Sequence, residues 1–339
     1  MNNQPNTDHP HNCCRRDFLR GALGCGAYTI LALAATEATT RKAFAQQTTG
    51  EIAAQTKFAS VEKVADRAWA VISTPTAGDF TTLSNGGIIA GDNGVLVIEG
   101  FQTPKGASWL SGVAKDLTGR APTHVALTHF HGDHCAGIKG YFSGDDGPTV
   151  VTTAGTRSRL DADGGQPSSI EPSGLALVDS EIGKPDAILP DSHGQAELDL
   201  GGRTVRLNAR VGHTASDMTI EIDDPKITFC GDLFFNAIFP NYMDAKPSAL
   251  TTTCKSLFAT SDTTFIPGHG SVASHQDIAN YLALLNHVEE SARNAQDAGT
   301  PPAESAGAFK VPDSLGNWFV FAPNFYQNAF EAWHRELSA

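Results

Sequence analysis

Short apolar and β-branched runs, separated by Gly, Asp and Asn, dominate the chain from Phe58 onward. They predict strands at 68–72, 87–90 and 95–99, with Asp92-Asn93-Gly94 as the hairpin turn between the last two. The period changes at 107–117, where Trp109, Leu110, Val113 and Leu117 recur at helical spacing and Gly119 marks the end. A short buried strand is predicted at 124–128, and further strands at 149–153, 204–211, 218–222, 227–230 and 264–266. Helical spacing returns at 248–258, at 276–290 and in the tail at 325–337. Residues 161–172 are rich in Gly, Pro and Ser and read as a loop, and the polar stretch 46–58 reads as a linker. Strand and helix patterns thus alternate, without internal repeats, through one continuous α/β domain at 59–339.

The first 45 residues differ in kind. Arg15 and Arg16 precede Phe18-Leu19, a weakly apolar Gly/Ala-rich run follows to about Ala35, and Ala43-Phe44-Ala45 is a small-x-small cleavage site. Residues 1–45 therefore resemble a twin-arginine signal peptide. The expectation is delivery to the Tat export machinery, cleavage before Gln46, and a periplasmic location. The apolar run is shorter than the roughly 18–20 residues a membrane span needs, so no stable membrane anchor is expected after cleavage. With that segment go five cations and three anions, and the formal charge of −13 becomes about −15. Such a surface repels phosphate backbones, and no Lys/Arg cluster offsets it, so nucleic acid is not an expected partner. Cys13, Cys14 and Cys25 belong to the signal. The remaining Cys135, Cys230 and Cys254 have no paired spacing, which excludes a disulfide framework. Cys230 sits in an apolar run and reads as a core thiol, whereas Cys135 directly follows a candidate ligand and is placed beside the site.

Four segments share one design, in which a β-rich run ends and a His or Asp stands in the turn beyond it. The first is Thr128-His129-Phe130-His131-Gly132-Asp133-His134. The others are Gly212-His213-Thr214, Gly231-Asp232-Leu233 and Gly268-His269-Gly270. Loops at the ends of neighbouring strands gather at one sheet edge, so these side chains can converge. Five imidazoles and two carboxylates make a borderline N/O donor set that suits zinc. A lone buried His is more often a satisfied core group than a ligand, and His124, His193, His275, His287 and His334 are read as surface or structural residues. Four His/Asp groups within six residues, with three glycine-flanked partners downstream, are a different matter.

His129-x-His131-x-Asp133-His134, followed by His213, Asp232 and His269, resembles the complete metal signature of the metallo-β-lactamase superfamily. The resemblance implies an αβ/βα four-layer sandwich and two Zn2+ per chain. One ion would be held by His129, His131 and His213, the other by Asp133, His134 and His269, with Asp232 bridging. It also implies a hydrolase in which a pair of cations lowers the pKa of a shared water to about 7, so that hydroxide attacks a carbonyl. Asp133 and Asp232 would be the catalytic carboxylates, Asp133 as ligand and proton acceptor. One departure is Glu99-Gly100, where the superfamily commonly has Asp at a position that supports the site.

The segment from Gly231 to Pro240 and the tail from Pro323 to Glu331 resemble periplasmic zinc metallohydrolases of quinoprotein relay systems. The substrate expected is a small acyl compound, with a thioester preferred. Two alternatives remain: a β-lactamase, against which the bridging Asp232 counts, and a non-catalytic metal carrier or mononuclear iron dioxygenase-like enzyme. Phe130, Phe235, Phe239 and Tyr242 flank the metal loops and are candidates for a pocket wall.

Overall fold

The period-two runs become two β-sheets laid face to face. The computed structural model describes residues 50–74, 78–142, 147–162 and 194–339. The signal peptide expected at 1–45, residues 163–172 of the expected loop, and His193 lie outside the described residues. The first sheet takes its strands in chain order: β1 (Ile52–Gln55), β2 (Ala59–Ala65), β3 (Ala68–Ser73), β4 (Gly86–Ala90), β5 (Val95–Ile98), β6 (His124–Ala126) and β7 (Thr149–Val151). Pairing is antiparallel as far as β5 and parallel from β5 through β7. The second sheet runs in the order β12-β11-β10-β9-β8. Its strands are β8 (Gln195–Asp199), β9 (Thr204–Arg210), β10 (Asp217–Asp223), β11 (Lys226–Phe235) and β12 (Thr264–His269), and only the β11–β12 pair is parallel.

Between the sheets, Ile72, Ile89, Leu96 and Ile98 meet Leu207, Met218, Ile220 and Phe229. The helices, in chain order, are α1 (Pro104–Thr118), α2 (Gly132–Cys135), α3 (Ala154–Ala162), α4 (Pro247–Phe258), α5 (His275–Asp297), α6 (Pro302–Ala308) and α7 (Asn324–Leu337). α1 lays Ala107, Leu110 and Ala114 over Val71, Ile88 and Val97 on the outer face of the first sheet. Leu250 of α4, Tyr281 and Leu285 of α5 and Trp333 of α7 cover Leu233 and Phe234 of β11. Strands such as β4 and β5 are therefore buried on both faces, which explains why their residues read as continuous apolar runs. The layers are helix, sheet, sheet, helix, as expected. α1 starts and stops for local reasons: Pro104 sits in its first turn, the Thr103 hydroxyl accepts from Gly106 N–H, and Gly119 closes it at φ 74°. No helix among the described residues is long and apolar enough to cross a membrane.

Three expectations change. Part of the segment read as linker is β1, whose Ile52, Ala54 and Gln55 pair with β2. An edge strand with mostly exposed side chains needs no apolar run, and so its sequence looks like a linker. β11 continues past Cys230 to Phe235, and β12 extends through His269, so Asp232 and His269 lie in strand backbone rather than in turns. Register shifts around Gly231 and before Phe235 re-aim the side chains of β11.

Candidate metal centre

All seven predicted ligands meet at one edge of the sandwich, and all are buried. β6 leads into the loop and short α2 that carry His129, His131, Asp133 and His134. The loop after β9 brings His213, bulged β11 brings Asp232, and the last residue of β12 is His269. Two glycines make the approach possible. Gly231 takes φ 51°, and an added Cβ would fall 2.6 Å from Thr128 Oγ1. A Cβ on Gly268 would fall 2.0 Å from Asp232 Oδ1, so the carboxylate occupies the place of a side chain there.

Potential ligand atoms fall into two groups, His129, His131, His213 and Asp232 in one, Asp133, His134 and His269 in the other, each within 4.8 Å. In the first, His213 Nε2 lies 2.9 Å from His131 Nδ1. In the second, His269 Nε2 lies 3.2 Å from Asp133 Oδ2, and His134 Nε2 lies 3.6 Å from the same oxygen. Asp232 stands between them. Its Oδ2 is 3.3 Å from His213 Nε2 and 3.8 Å from His129 Nε2, while its Oδ1 is 3.1 Å from His134 Nε2 and 3.4 Å from His269 Nε2. One oxygen thus faces each group.

Unmatched atoms test whether this is a metal site or a buried polar network. His129 Nε2, His134 Nε2 and Asp232 Oδ1 are buried without a hydrogen-bond partner. The close approach of the last two lacks hydrogen-bond alignment, which is why neither satisfies the other. Burying polar atoms in this way is costly unless something else binds them. The opposite ring nitrogens of three ligands are held. His129 Nδ1 lies 3.0 Å from Thr128 Oγ1, His131 Nε2 lies 2.9 Å from Asp244 Oδ2, and His134 Nδ1 lies 3.0 Å from Glu99 Oε1. At His129 and His134 the outer nitrogen is anchored and the inner one bare, the arrangement of metal-binding histidines, whereas the outer Nδ1 of His213 and of His269 is buried without a hydrogen-bond partner. The donor set fits divalent metal ions.

Charge supports the same reading. Burial pushes His129 well below the ordinary imidazole range and His213 down to about 3, each aided by neighbouring histidines, leaving neutral rings. Burial alone would raise Asp133 and Asp232. The adjacent His134 and His269 outweigh it, holding Asp133 at about 2 and Asp232 well below the carboxylate range. The same contacts outweigh burial at the two imidazoles, lifting His134 well above its usual range and His269 to about 9. Ionised carboxylates and neutral imidazoles are the forms that ligate, so Asp133, Asp232, His129 and His213 are ready for a metal, whereas His134 and His269 would give up a proton on binding one.

The superfamily profile of the metallo-β-lactamases matches residues 81–290, more than half of the chain. The chain belongs to the metallo-β-lactamase superfamily. Members are generally hydrolases. Among solved structures it is similar to a stereoselective inverting sec-alkylsulfatase from Pseudomonas sp., with 17% identity and a TM-score of 0.63 over 82% of this chain. The chain spans half the length of that protein. It is also similar to a metallo-β-lactamase from Pontibacter korlensis, at 19% identity and TM-score 0.53, covering 67% of this chain and 99% of the other. A metallo-β-lactamase from Erythrobacter litoralis gives 16% identity and TM-score 0.54, over 70% and 100% respectively. At such identities the likeness concerns the fold. Among curated proteins, none matches significantly.

Within this metallo-β-lactamase frame, Glu99 replaces the usual Asp without losing contact with the site. The Thr128 hydroxyl donates to its Oε1 at 2.6 Å, and the Tyr141 hydroxyl donates to its backbone carbonyl at 2.9 Å. Through Thr128 and His134, one buried carboxylate reaches a histidine of each group. Asp244 was not foreseen, because nothing in its spacing separates it from an ordinary loop acid. The expected aromatic wall needs correction. Phe235 lines the cleft over the site, but Phe239 and Tyr242 are packed in the core under α7, and Phe130 packs against the core beneath α1. Aromatics on a loop that crosses a helical layer point into that layer as readily as into the cleft. The other apolar lining is Leu83, Phe321, Ala322 and Phe325. Cys135 is buried beneath the loop, its thiol donating to the carbonyl of His131 at 3.1 Å, and does not line the cleft. Cys230 is a core thiol. Asp217, pushed up to about 7 by burial, accepts from the N–H and hydroxyl of Thr214 and so pins the loop that carries His213.

Proposed function

We propose that this chain is a dinuclear zinc hydrolase that directs water at the carbonyl of an acyl compound, with thioesters preferred. The observation that carries the reading is Asp232, which turns one oxygen toward each of two ligand groups, and in each group one inward nitrogen, His129 Nε2 or His134 Nε2, has no hydrogen-bond partner. Bound there, divalent cations would supply Lewis acidity toward water and the substrate carbonyl. The chain's own residues supply the rest. Asp232 keeps the two cation positions apart and offsets their mutual repulsion. Asp133 presents an ionised carboxylate to the cleft, able to orient the attacking water and accept its proton. The apolar lining excludes competing water. The relay-system resemblance and the Arg15-Arg16 signal support a periplasmic setting for this chemistry.

A β-lactamase reading shares the fold, but Asp232 stands where lactamases generally carry Cys or Ser. The test assays zinc-loaded protein against thioesters, a chromogenic cephalosporin and a secondary alkyl sulfate at equal concentration. Thioester cleavage is expected, abolished by a chelator and restored by zinc. A cephalosporin kcat/KM of about 10⁵ M⁻¹ s⁻¹, or turnover of the alkyl sulfate, with no thioester cleavage would contradict the proposal.

A further inference from the structure

The superfamily match ends at residue 290, yet Phe321, Ala322 and Phe325 line the cleft over His131, Asp133, Asp232 and His269. This late segment is tied down at several points. Phe239 N–H donates to the Phe319 carbonyl at 2.8 Å and Phe319 N–H to the Ala237 carbonyl at 3.0 Å, a short parallel bridge beside β11. The Phe321 ring meets the edge of His269 at 5.6 Å and packs on Phe319 at 5.1 Å. Asn328 of α7 donates from Nδ2 to Asn241 Oδ1 at 2.9 Å, fixing a carboxamide that also lines the cleft. α7 is anchored in turn through Phe325, Phe330 and Trp333, all buried. The segment is therefore a fixed wall.

Chemistry of the lining is one-sided. Away from the ligand groups the cleft presents Leu83, Phe235, Phe321, Ala322 and Phe325, with Asn241 as the polar exception. No Lys or Arg lines it among the described residues. A substrate carboxylate at that end would lose its hydration without gaining a cation, whereas an aryl or branched alkyl group would gain apolar contact.

We propose that residues 319–328 form the specificity pocket of this site, and that the pocket selects an uncharged acyl compound whose acyl group is compact and apolar. The inference rests on the hydrolase reading above. Water adds to the acyl carbon, the C–S bond breaks, the thiol leaves carrying a proton, and the apolar carboxylic acid is released.

The experiment compares S-phenylacetyl and S-succinyl N-acetylcysteamine on the zinc-loaded protein, which differ in having a ring or a carboxylate at the far end. It also measures binding of their carba analogues, in which CH2 replaces sulfur so that no C–S bond can break. The phenylacetyl thioester should be favoured by about tenfold or more in kcat/KM, and only its carba analogue should bind measurably. Phe321→Ala should lower the phenylacetyl-to-succinyl ratio by about tenfold, mainly through KM, with zinc content and melting temperature kept. Phe321→Lys should raise succinyl turnover relative to phenylacetyl. Equal cleavage of both thioesters by the native protein, or a ratio unmoved by either variant, would overturn the pocket while leaving the hydrolase intact. Selective binding of the phenylacetyl carba analogue without thioester cleavage would sustain the pocket and remove the hydrolase reading.

Discussion

The metal loops and the C-terminal wall meet over the same cleft and are built on opposite terms. The loops at His129–His134, His213, Asp232 and His269 bring polar atoms inward and leave several without partners. The wall at Phe319–Phe325 brings rings inward and ties its own backbone to the strand beside it. The first lies inside the superfamily match and the second lies beyond it. On the proposed reading, the metal chemistry lies wholly within the matched stretch while part of the substrate-facing wall, Phe321, Ala322 and Phe325, lies outside it and can change while the ligands stay. That division accounts for a superfamily whose common ligand signature says little about the substrate.

The largest effect is expected from Asp232→Ala, at the centre of the loops. Without the carboxylate facing both groups, zinc content should fall by at least one ion per chain and kcat/KM by about 10³-fold or more, beyond the 10–100-fold typical of losing an outer hydrogen-bond partner. Elemental analysis beside the thioester assay checks it, and unchanged zinc with unchanged turnover would show that Asp232 ligates nothing. Glu99→Gln should come next. It removes one acceptor from the carboxylate that holds Thr128 and His134, and zinc affinity should drop by about 10–100-fold with the fold intact, as read by competition with a chromophoric chelator. Zinc affinity equal to the native value would make Glu99 a packing residue. Phe321→Ala, on the wall, should have the smallest effect, changing substrate preference alone. If it also stripped zinc, the two regions would not be independent and the comparison would break.

Sequence patterns reached these two regions unequally. His129 to His134 are close in the chain and follow a buried strand, and glycines flank His213, Asp232 and His269, so spacing alone nominated all of them. The strands β3, β4, β5, β9 and β10 and the helices α1, α4 and α7 were legible because apolar period and turn residues agree. β1 was hidden because an exposed edge strand carries no apolar period. The continuation of β11 through Gly231 was hidden because a glycine at positive φ reads as a turn, whereas here it is a bulge. Asp244, Leu83 and Phe321 were out of reach for a common reason. Each gains its role from contacts with residues distant in the chain, such as the pairing of His131 with Asp244, and such contacts leave no local spacing. The tail resemblance at Asn324-Phe325 was the only hint of the wall.

The central claim is that two cations sit between these groups with one oxygen of Asp232 facing each. Zinc-edge anomalous diffraction from crystals of the purified protein tests it directly. The account predicts two anomalous peaks about 3.5–4 Å apart, one among His129, His131 and His213, the other among Asp133, His134 and His269, with the Asp232 carboxylate between them. A single peak, or two peaks with Asp232 turned away from both, would contradict it.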